Sequence, residues 1–307
     1  VLNAEPNEHL AALLAKSSKA IAAAKDEAAA MQLLRRMKAE AALMIAVADI
    51  GGVWPVMRTT QALTEVADTA VRSAVRYLLR EATAAGKLKP ADKNAPEEGS
   101  GYIVLAMGKM GAFELNYSSD IDLIVFYDRE APALVDKDNV ATFHVRITRG
   151  LVKLLQERTA DGYVFRVDLR LRPDPASTQI AVSTESALNY YGSVGQNWER
   201  AAMIKARVCA GDFKSGEDIL AQLSPFIWRK YLDFAAVADI EALKRQIHAY
   251  RGHADIAVEG HNIKLGRGGI REIEFFVQTQ QLVAGGRHPE LRGRQTLPML
   301  AALAEGG

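Results

Sequence analysis

The chain has 307 residues, 49% of them hydrophobic and 24% charged, the balance of an ordinary soluble globular protein with room for one large or two ordinary domains. Its 38 basic and 37 acidic residues leave a formal net charge of +1, which argues against nucleic-acid or membrane partners, so any charge that binds phosphate must be local. The single cysteine, Cys209, closes no internal disulfide, no histidine or cysteine cluster has zinc-ligand spacing, and neither a signal peptide nor a membrane-length apolar run is visible, so a cytoplasmic location is expected.

Val1 in place of Met, and a helical-looking end from Leu297 to Gly307, fit a piece of a longer protein. From His9 to Ile50 the chain is rich in Ala, Leu, Lys and Glu and nearly free of Gly and Pro, which predicts helix. Gly51, Gly52 and Pro55 interrupt it. Leu63, Val66, Ala67, Ala70, Val71, Ala74 and Leu78 then recur at helical spacing and predict an amphipathic helix from about Thr60 to Ala85. A Gly- and Pro-containing connector, Gly86 to Gly101, follows. Tyr102 to Met107 and Ile121 to Tyr127 are short apolar runs dense in β-branched and aromatic residues and predict neighbouring buried strands. Asn139 to Arg158 predicts a helix. Val164 to Leu171 alternates, with Arg166, Asp168, Arg170 and Arg172 on one face, and predicts a third strand ending at Pro173. From Thr184 the pattern is helical almost to the end, with breaks near Gly211, His253 to Asn262 and Gly266 to Gly269.

The segment from Gly108 to Leu123 holds the chemistry. A strand runs into a glycine turn and returns as a strand that opens with Asp120 and Asp122. Residues two apart on a strand share a face roughly 7 Å apart, so both carboxylates can reach one cation, and Asp168 adds a third from a strand about 4.8 Å away. Oxygen-only ligation by three convergent carboxylates favours Mg²⁺ or Mn²⁺ over zinc. A lone Asp-x-Asp is usually a solvated turn; apolar residues on both faces after Asp122 make this strand central and put the aspartates at its end, where open sheets bind ligands. Gly108-Lys109-Met110-Gly111 lacks the spacing of a Walker site. Arg166, Arg170 and Arg172 either contact phosphate or form surface salt bridges. Asn197 to Arg207 reads as a helix with Arg200 and Arg207 two turns apart, on which Lys205 and Arg207 are candidate phosphate ligands and Trp198 a core residue. The scattered histidines, among them His144 and His288, have no catalytic pattern. Glu274, close to the apolar face of a helix carrying Ile270, Ile273 and Val277, requires a cation, with Arg267 and Arg271 near in sequence; Gly268-Gly269 could present free amides to an anion.

Gly108 to Tyr127 and Leu265 to Gln278, with Val164 to Pro173 and Asn197 to Arg207 between them, resemble the glutamine synthetase adenylyltransferase/adenylyl-removing enzyme family, a branch of the DNA polymerase beta-like nucleotidyltransferases. Such proteins carry two nucleotidyltransferase units in tandem, one adding AMP to a tyrosine of glutamine synthetase and one removing it. Glu114-Leu115-Asn116-Tyr117-Ser118-Ser119 and the Arg271-Glu272 pair look more like the removing, N-terminal unit. The resemblance implies Asp120, Asp122 and Asp168 as catalytic metal ligands and Gly108, Lys109, Ser119, Arg170, Arg172, Lys205 and Arg207 as substrate-binding positions. It implies phosphorolysis of adenylyl-tyrosine to ADP, adenylylated glutamine synthetase as partner, and a PII signalling protein acting through the full-length enzyme. Lys109 departs from the wider superfamily, where a small residue often follows the first glycine.

The expected fold is α+β: a small nucleotidyltransferase sheet in residues 59–182, between a helical N-terminal region, 1–58, and a C-terminal helical bundle, 183–307. Two other functions stay open. One is the adenylylating half of the same enzyme, using ATP; the other is a catalytically silent regulatory docking module.

Overall fold

The computed structural model describes residues 5–229, 262–264 and 266–305. The described residues form two compact units, one running to Asn189 and taking in Ala206–Ala221, the other made of Tyr190–Lys205 and the described residues from Gln222 onward. The predicted helical start and the sheet-bearing stretch both fall in the first unit.

Three helices open this unit: α1 (Pro6–Ala22), α2 (Glu27–Ile50) and α3 (Val56–Ala84). The expected continuous helix before Ile50 is thus two helices. The break is a capping event: the Asp26 carboxylate accepts from Ala29 N at 2.8 Å and starts α2 anew. Gly51 to Pro55 ends α2 where the breakers predict. Leu10, Leu34, Ile45, Ala67 and Val71 are fully buried among the three helices and the sheet. Burial of side chains of this size contributes roughly 1.5–3 kcal/mol each for the larger aliphatics.

The sheet comprises β1 (Tyr102–Ala106), β2 (Ile121–Tyr127), β3 (Val167–Asp168), β4 (Val182–Ser183) and β5 (Arg207–Gly211), in the order β3-β2-β1-β5, with β4 also on β2. β1 lies antiparallel between β2 and β5, and β2 pairs in parallel with β3 and β4. Tyr102, Val104 and Ala106 of β1 and Leu123, Val125 and Tyr127 of β2 join α3 and α5 (Val140–Gln156) in one core. The even-numbered residues of β2 point the other way, so Asp122 shares its face with the buried Ile124 and Phe126.

Between β1 and β2 the glycine turn is one turn of helix, α4 (Gly108–Gly111). After β4 come α6 (Thr184–Ser193), α7 (Asn197–Met203) and α8 (Phe213–Ile227); α9 (Ile270–Ala284), a 3-10 turn at Pro289–Leu291 and α10 (Thr296–Glu305) complete the described chain.

Two expectations are corrected. The predicted strand Val164 to Leu171 is paired only at Val167–Asp168, because the Asp168 carboxylate accepts from Arg170 N at 2.8 Å and Arg172 donates to Leu169 O at 2.8 Å, which bends the chain out of the sheet. The predicted helix Asn197 to Arg207 stops at Met203, and Arg207 instead opens β5, an edge strand whose Val208, Cys209 and Ala210 are buried. Gly211 ends β5 at φ 85°, where an added Cβ would lie 1.9 Å from Tyr102 O; only glycine permits that approach. The break expected from His253 to Asn262 lies outside the described residues up to position 261.

Candidate functional site

The parallel pair β2/β3 sets Asp122 directly opposite Asp168, with Ile121 opposite Val167. Asp120 lies one residue before β2, half exposed, and Ile121 N donates to Arg166 O at 2.9 Å to lock the two segments in register. Asp120, Asp122 and Asp168, on two chain segments, therefore lie at one end of the central strands. Gly108 sits against them at φ 52°, where an added Cβ would come within 2.6 Å of Asp122 Oδ2. The main chain thereby reaches the carboxylate with no side chain between.

Two arginines pair with this acidic corner. Arg166 Nε pairs with Asp120 Oδ1, while its terminal nitrogens donate to Ser118 O at 2.8 Å and to Tyr163 Oη at 3.1 Å. Arg170 Nε lies 3.0 and 2.9 Å from the two Asp168 oxygens, and its Nη2 also pairs with Asp168. That bond holds the Asp168 carboxyl below the ordinary carboxylate range against its partial burial. The Arg170 guanidinium is in turn held above its ordinary value, first by Asp168 and then by the charges of Asp122 and Asp120. One cation stands in the field of all three acids.

The other predicted positions divide. Lys109 and Ser119 are half-buried on α4 and on the approach to Asp120. Arg172 turns inward: it donates to Leu169 O, Pro175 O and Thr178 O and shapes its own loop. Arg207 is buried, with Nη2 2.8 Å from Asp68 Oδ1 and 2.9 Å from Met110 O, Nε 3.3 Å from Gly111 O, and its guanidinium 4.1 Å over the Phe113 ring. It props the Gly108–Gly111 turn from below. Phe113 holds a left-handed backbone at φ 60°, clamped by that stacking. Lys205 belongs to the second unit, where its Nζ is 3.2 Å from Glu274 Oε1 and 3.3 Å from Thr296 Oγ1. The cation expected for Glu274 is thus Lys205, not Arg267 or Arg271. At the start of α9 the Gly268 amide donates to Glu272 Oε2 at 2.6 Å and the Gly269 amide to Gly266 O at 2.9 Å, so the expected free amides are both engaged. Trp198, expected in the core, is 38% exposed.

Sequence reasoning missed three supporting residues. Arg35 of α2 is buried and donates to Met31 O, Leu154 O, Gly162 O and Glu157 O, tying α2 to the end of α5 and to the lead into β3. Asp68 of α3 receives Arg207. Asp49 of α2 accepts from Tyr117 Oη at 2.8 Å and from Thr59 Oγ1 at 3.2 Å, fastening the approach to Asp120. A charged residue at a core position of a helical pattern, as at 35 and 68, is the one signal that marks such braces.

The donors are carboxylate oxygens alone, and the register and Gly108 bring them to one end of the sheet. As the side chains stand, no group of three His, Cys, Asp or Glu among the described residues is arranged to hold a metal ion, and Asp120 and Asp168 are paired with Arg166 and Arg170. By donor chemistry the three carboxylates suit such an ion. No helix among the described residues is long and apolar enough to cross a membrane.

Residues 2–222 match the family described as glutamate-ammonia ligase adenylyltransferase, and residues 239–307 match that described as GlnD PII-uridylyltransferase. The chain is 64% identical over 304 residues, 99% of its length, to the bifunctional glutamine synthetase adenylyltransferase/adenylyl-removing enzyme of Bradyrhizobium diazoefficiens, covering 31% of that protein. It is 60% identical over 303 residues, again 99% of its length, to the protein of the same name from Xanthobacter autotrophicus, covering 30%. It therefore spans about a third of the curated relatives it matches. With its matched segment carrying the sheet, the Gly108 turn and all three aspartates, this chain belongs to the glutamate-ammonia ligase adenylyltransferase family.

Proposed function

We propose that this chain is a nucleotidyltransferase unit that removes AMP from adenylylated glutamine synthetase by phosphorolysis, at Asp120, Asp122 and Asp168. The observation that carries the reading is the Asp122–Asp168 register pair, with Asp120 beside it and Arg170 paired to Asp168. The three carboxylates would hold Mg²⁺ or Mn²⁺, which when bound supplies charge stabilisation at the reacting phosphoryl group. The relatives' name joins adding and removing activities, and the Glu114 to Ser119 approach to Asp120 supports the removing one here.

In this reaction an oxygen of inorganic phosphate forms a bond to the α-phosphorus of adenylyl-tyrosine. The bond from that phosphorus to the tyrosine oxygen breaks, and the phosphate becomes the β-phosphate of ADP. Phosphate is already anionic and tyrosine leaves with a pKa of about 10, so no strong base is needed to activate the nucleophile. Asp168, held proton-poor by Arg170, suits charge binding. Gly108 lets the α4 turn approach the phosphoryl group closely, and Lys109, Ser119, Arg166 and Arg170 supply the local positive and hydrogen-bonding groups. Arg172 and Arg207 we assign to holding the loop and the turn in place. The match of residues 239–307 to the GlnD PII-uridylyltransferase family supports a PII signalling protein as regulatory partner.

Asp122→Asn tests the assignment. Turnover of adenylylated glutamine synthetase with Mg²⁺ and phosphate should vanish, while the melting temperature holds or rises because repulsion in the acidic corner is relieved. Wild-type turnover in this variant would refute it.

A further inference from the structure

Arg170 differs from the arginines around it in what holds it. Arg166 is backed by Tyr163 and Ser118, and Arg172 by three carbonyls, but the hydrogen bonds of Arg170 all go to Asp168. Its side chain is 83% exposed while that of Asp168 is 17% exposed. The guanidinium therefore lies on the solvent side of the carboxylate and can swing away about its own side-chain bonds with the backbone fixed. Both Asp168 oxygens are engaged by it. Arg170 N and Nε contact one Asp168 oxygen and Nε and Nη2 the other, so a metal ion entering at Asp168 competes with the guanidinium for the same lone pairs.

We propose that Arg170 is the resident counter-cation of this acidic corner, displaced when a divalent cation enters at Asp120, Asp122 and Asp168, and that the freed guanidinium then captures an incoming phosphate. The inference rests on the reading of these aspartates as metal ligands. It makes Arg170 a positioning residue that couples cation loading to anion capture: without the cation the arginine is held by Asp168, and with it the arginine is available to a substrate oxygen. In either condition a cation offsets part of the acids' charge, which spares the site three uncompensated like charges.

The test is Mn²⁺ binding to the whole chain, followed by the electron paramagnetic resonance of the free ion, with Asp168→Asn, Arg170→Gln and Arg170→Lys beside wild type and thermal melts to confirm folding. Removing a competing cation should tighten Mn²⁺ about three- to tenfold in R170Q, with R170K between it and wild type. The Mn²⁺-induced rise in melting temperature should likewise be larger in R170Q. With Mg²⁺ saturating, calorimetric titration with inorganic phosphate should show about tenfold weaker binding in R170Q than in wild type. A purely structural arginine would give neither change. Mn²⁺ affinity in R170Q equal to or weaker than wild type, with D168N losing the ion, would overturn the exchange and leave the metal site standing. Failure of wild type itself to bind Mn²⁺ would overturn both.

Discussion

The guanidinium of Arg207 at the start of β5 meets the carboxylate of Asp68 on α3 at 2.8 Å, both side chains less than a tenth exposed, and reaches Met110 O and Gly111 O from the same position. Helix, edge strand and the turn beside Asp122 are joined at one buried charge. Removing one partner strands the other. Arg207→Met should therefore cost about 3–5 kcal/mol in urea unfolding, and the double variant Asp68→Leu/Arg207→Met should recover much of that loss. Equal loss in the single and double variants would show that the pair is not what the turn depends on.

Gly108 gives a local test of the same geometry. Gly108→Ala combines a φ of 52° with a Cβ 2.6 Å from Asp122 Oδ2, so it should cost about 1 kcal/mol or more and reduce turnover by an order of magnitude. Gly86→Ala is the control: its φ is 70° but no atom lies within 4 Å of the added Cβ, so backbone strain appears without loss of turnover. Equal activity in the two variants would remove the close approach at Gly108 from the account.

His144 is fully buried on α5, stacked on the neighbouring rings of Tyr102 and Tyr127, with Nδ1 2.9 Å from Val140 O. Burial lowers its pKa from 6.5 to about 4. The unfolded chain then binds a proton that the folded chain refuses, so this contribution is complete above pH 6.5 and is lost as pH falls through that window towards 4. Unfolding free energies from urea melts between pH 7 and 4.5 should fall with a slope of up to about 1.4 kcal/mol per pH unit from this group, and His144→Phe should flatten it. An unchanged slope in H144F would place the pH dependence elsewhere.

The strands and helices with strong local patterns were legible: Ile121–Tyr127 could be read as a central strand because both faces are apolar, and α3 from its helical spacing. β4 and β5 were not, since two to five residues carry little periodicity and β5 is defined by pairing with Tyr102–Ala106 from about a hundred residues away. The same distance hid the partner of Arg207. Alternation made Arg170 and Arg172 look equivalent, but a bend at Leu169 gives one to Asp168 and the other to backbone carbonyls. Asp120 and Asp122 were visible as a motif; the opposition of Asp122 to Asp168 is a register that only the assembled sheet defines.

Arg35 offers a fourth test, because four carbonyls converge on it where no carboxylate is bonded. Burial lowers its pKa, so the charge is held at a desolvation cost and the hydrogen bonds offset it. Arg35→Met should leave those carbonyls without their donor, destabilise by about 2–4 kcal/mol and loosen the segment leading to Val167. Hydrogen exchange at Val164 to Asp168 should accelerate in R35M; exchange there equal to wild type would limit Arg35 to a role in α2.

Phosphate carrying ³²P reads the direction of group transfer directly. The whole chain, incubated with adenylylated glutamine synthetase, Mg²⁺ and labelled inorganic phosphate, should place the label in the β-position of ADP and free the tyrosine in equal amount, with no label incorporated by the Asp122→Asn variant. Transfer of AMP from ATP onto unmodified glutamine synthetase, with no labelled ADP from the modified protein, would contradict the account.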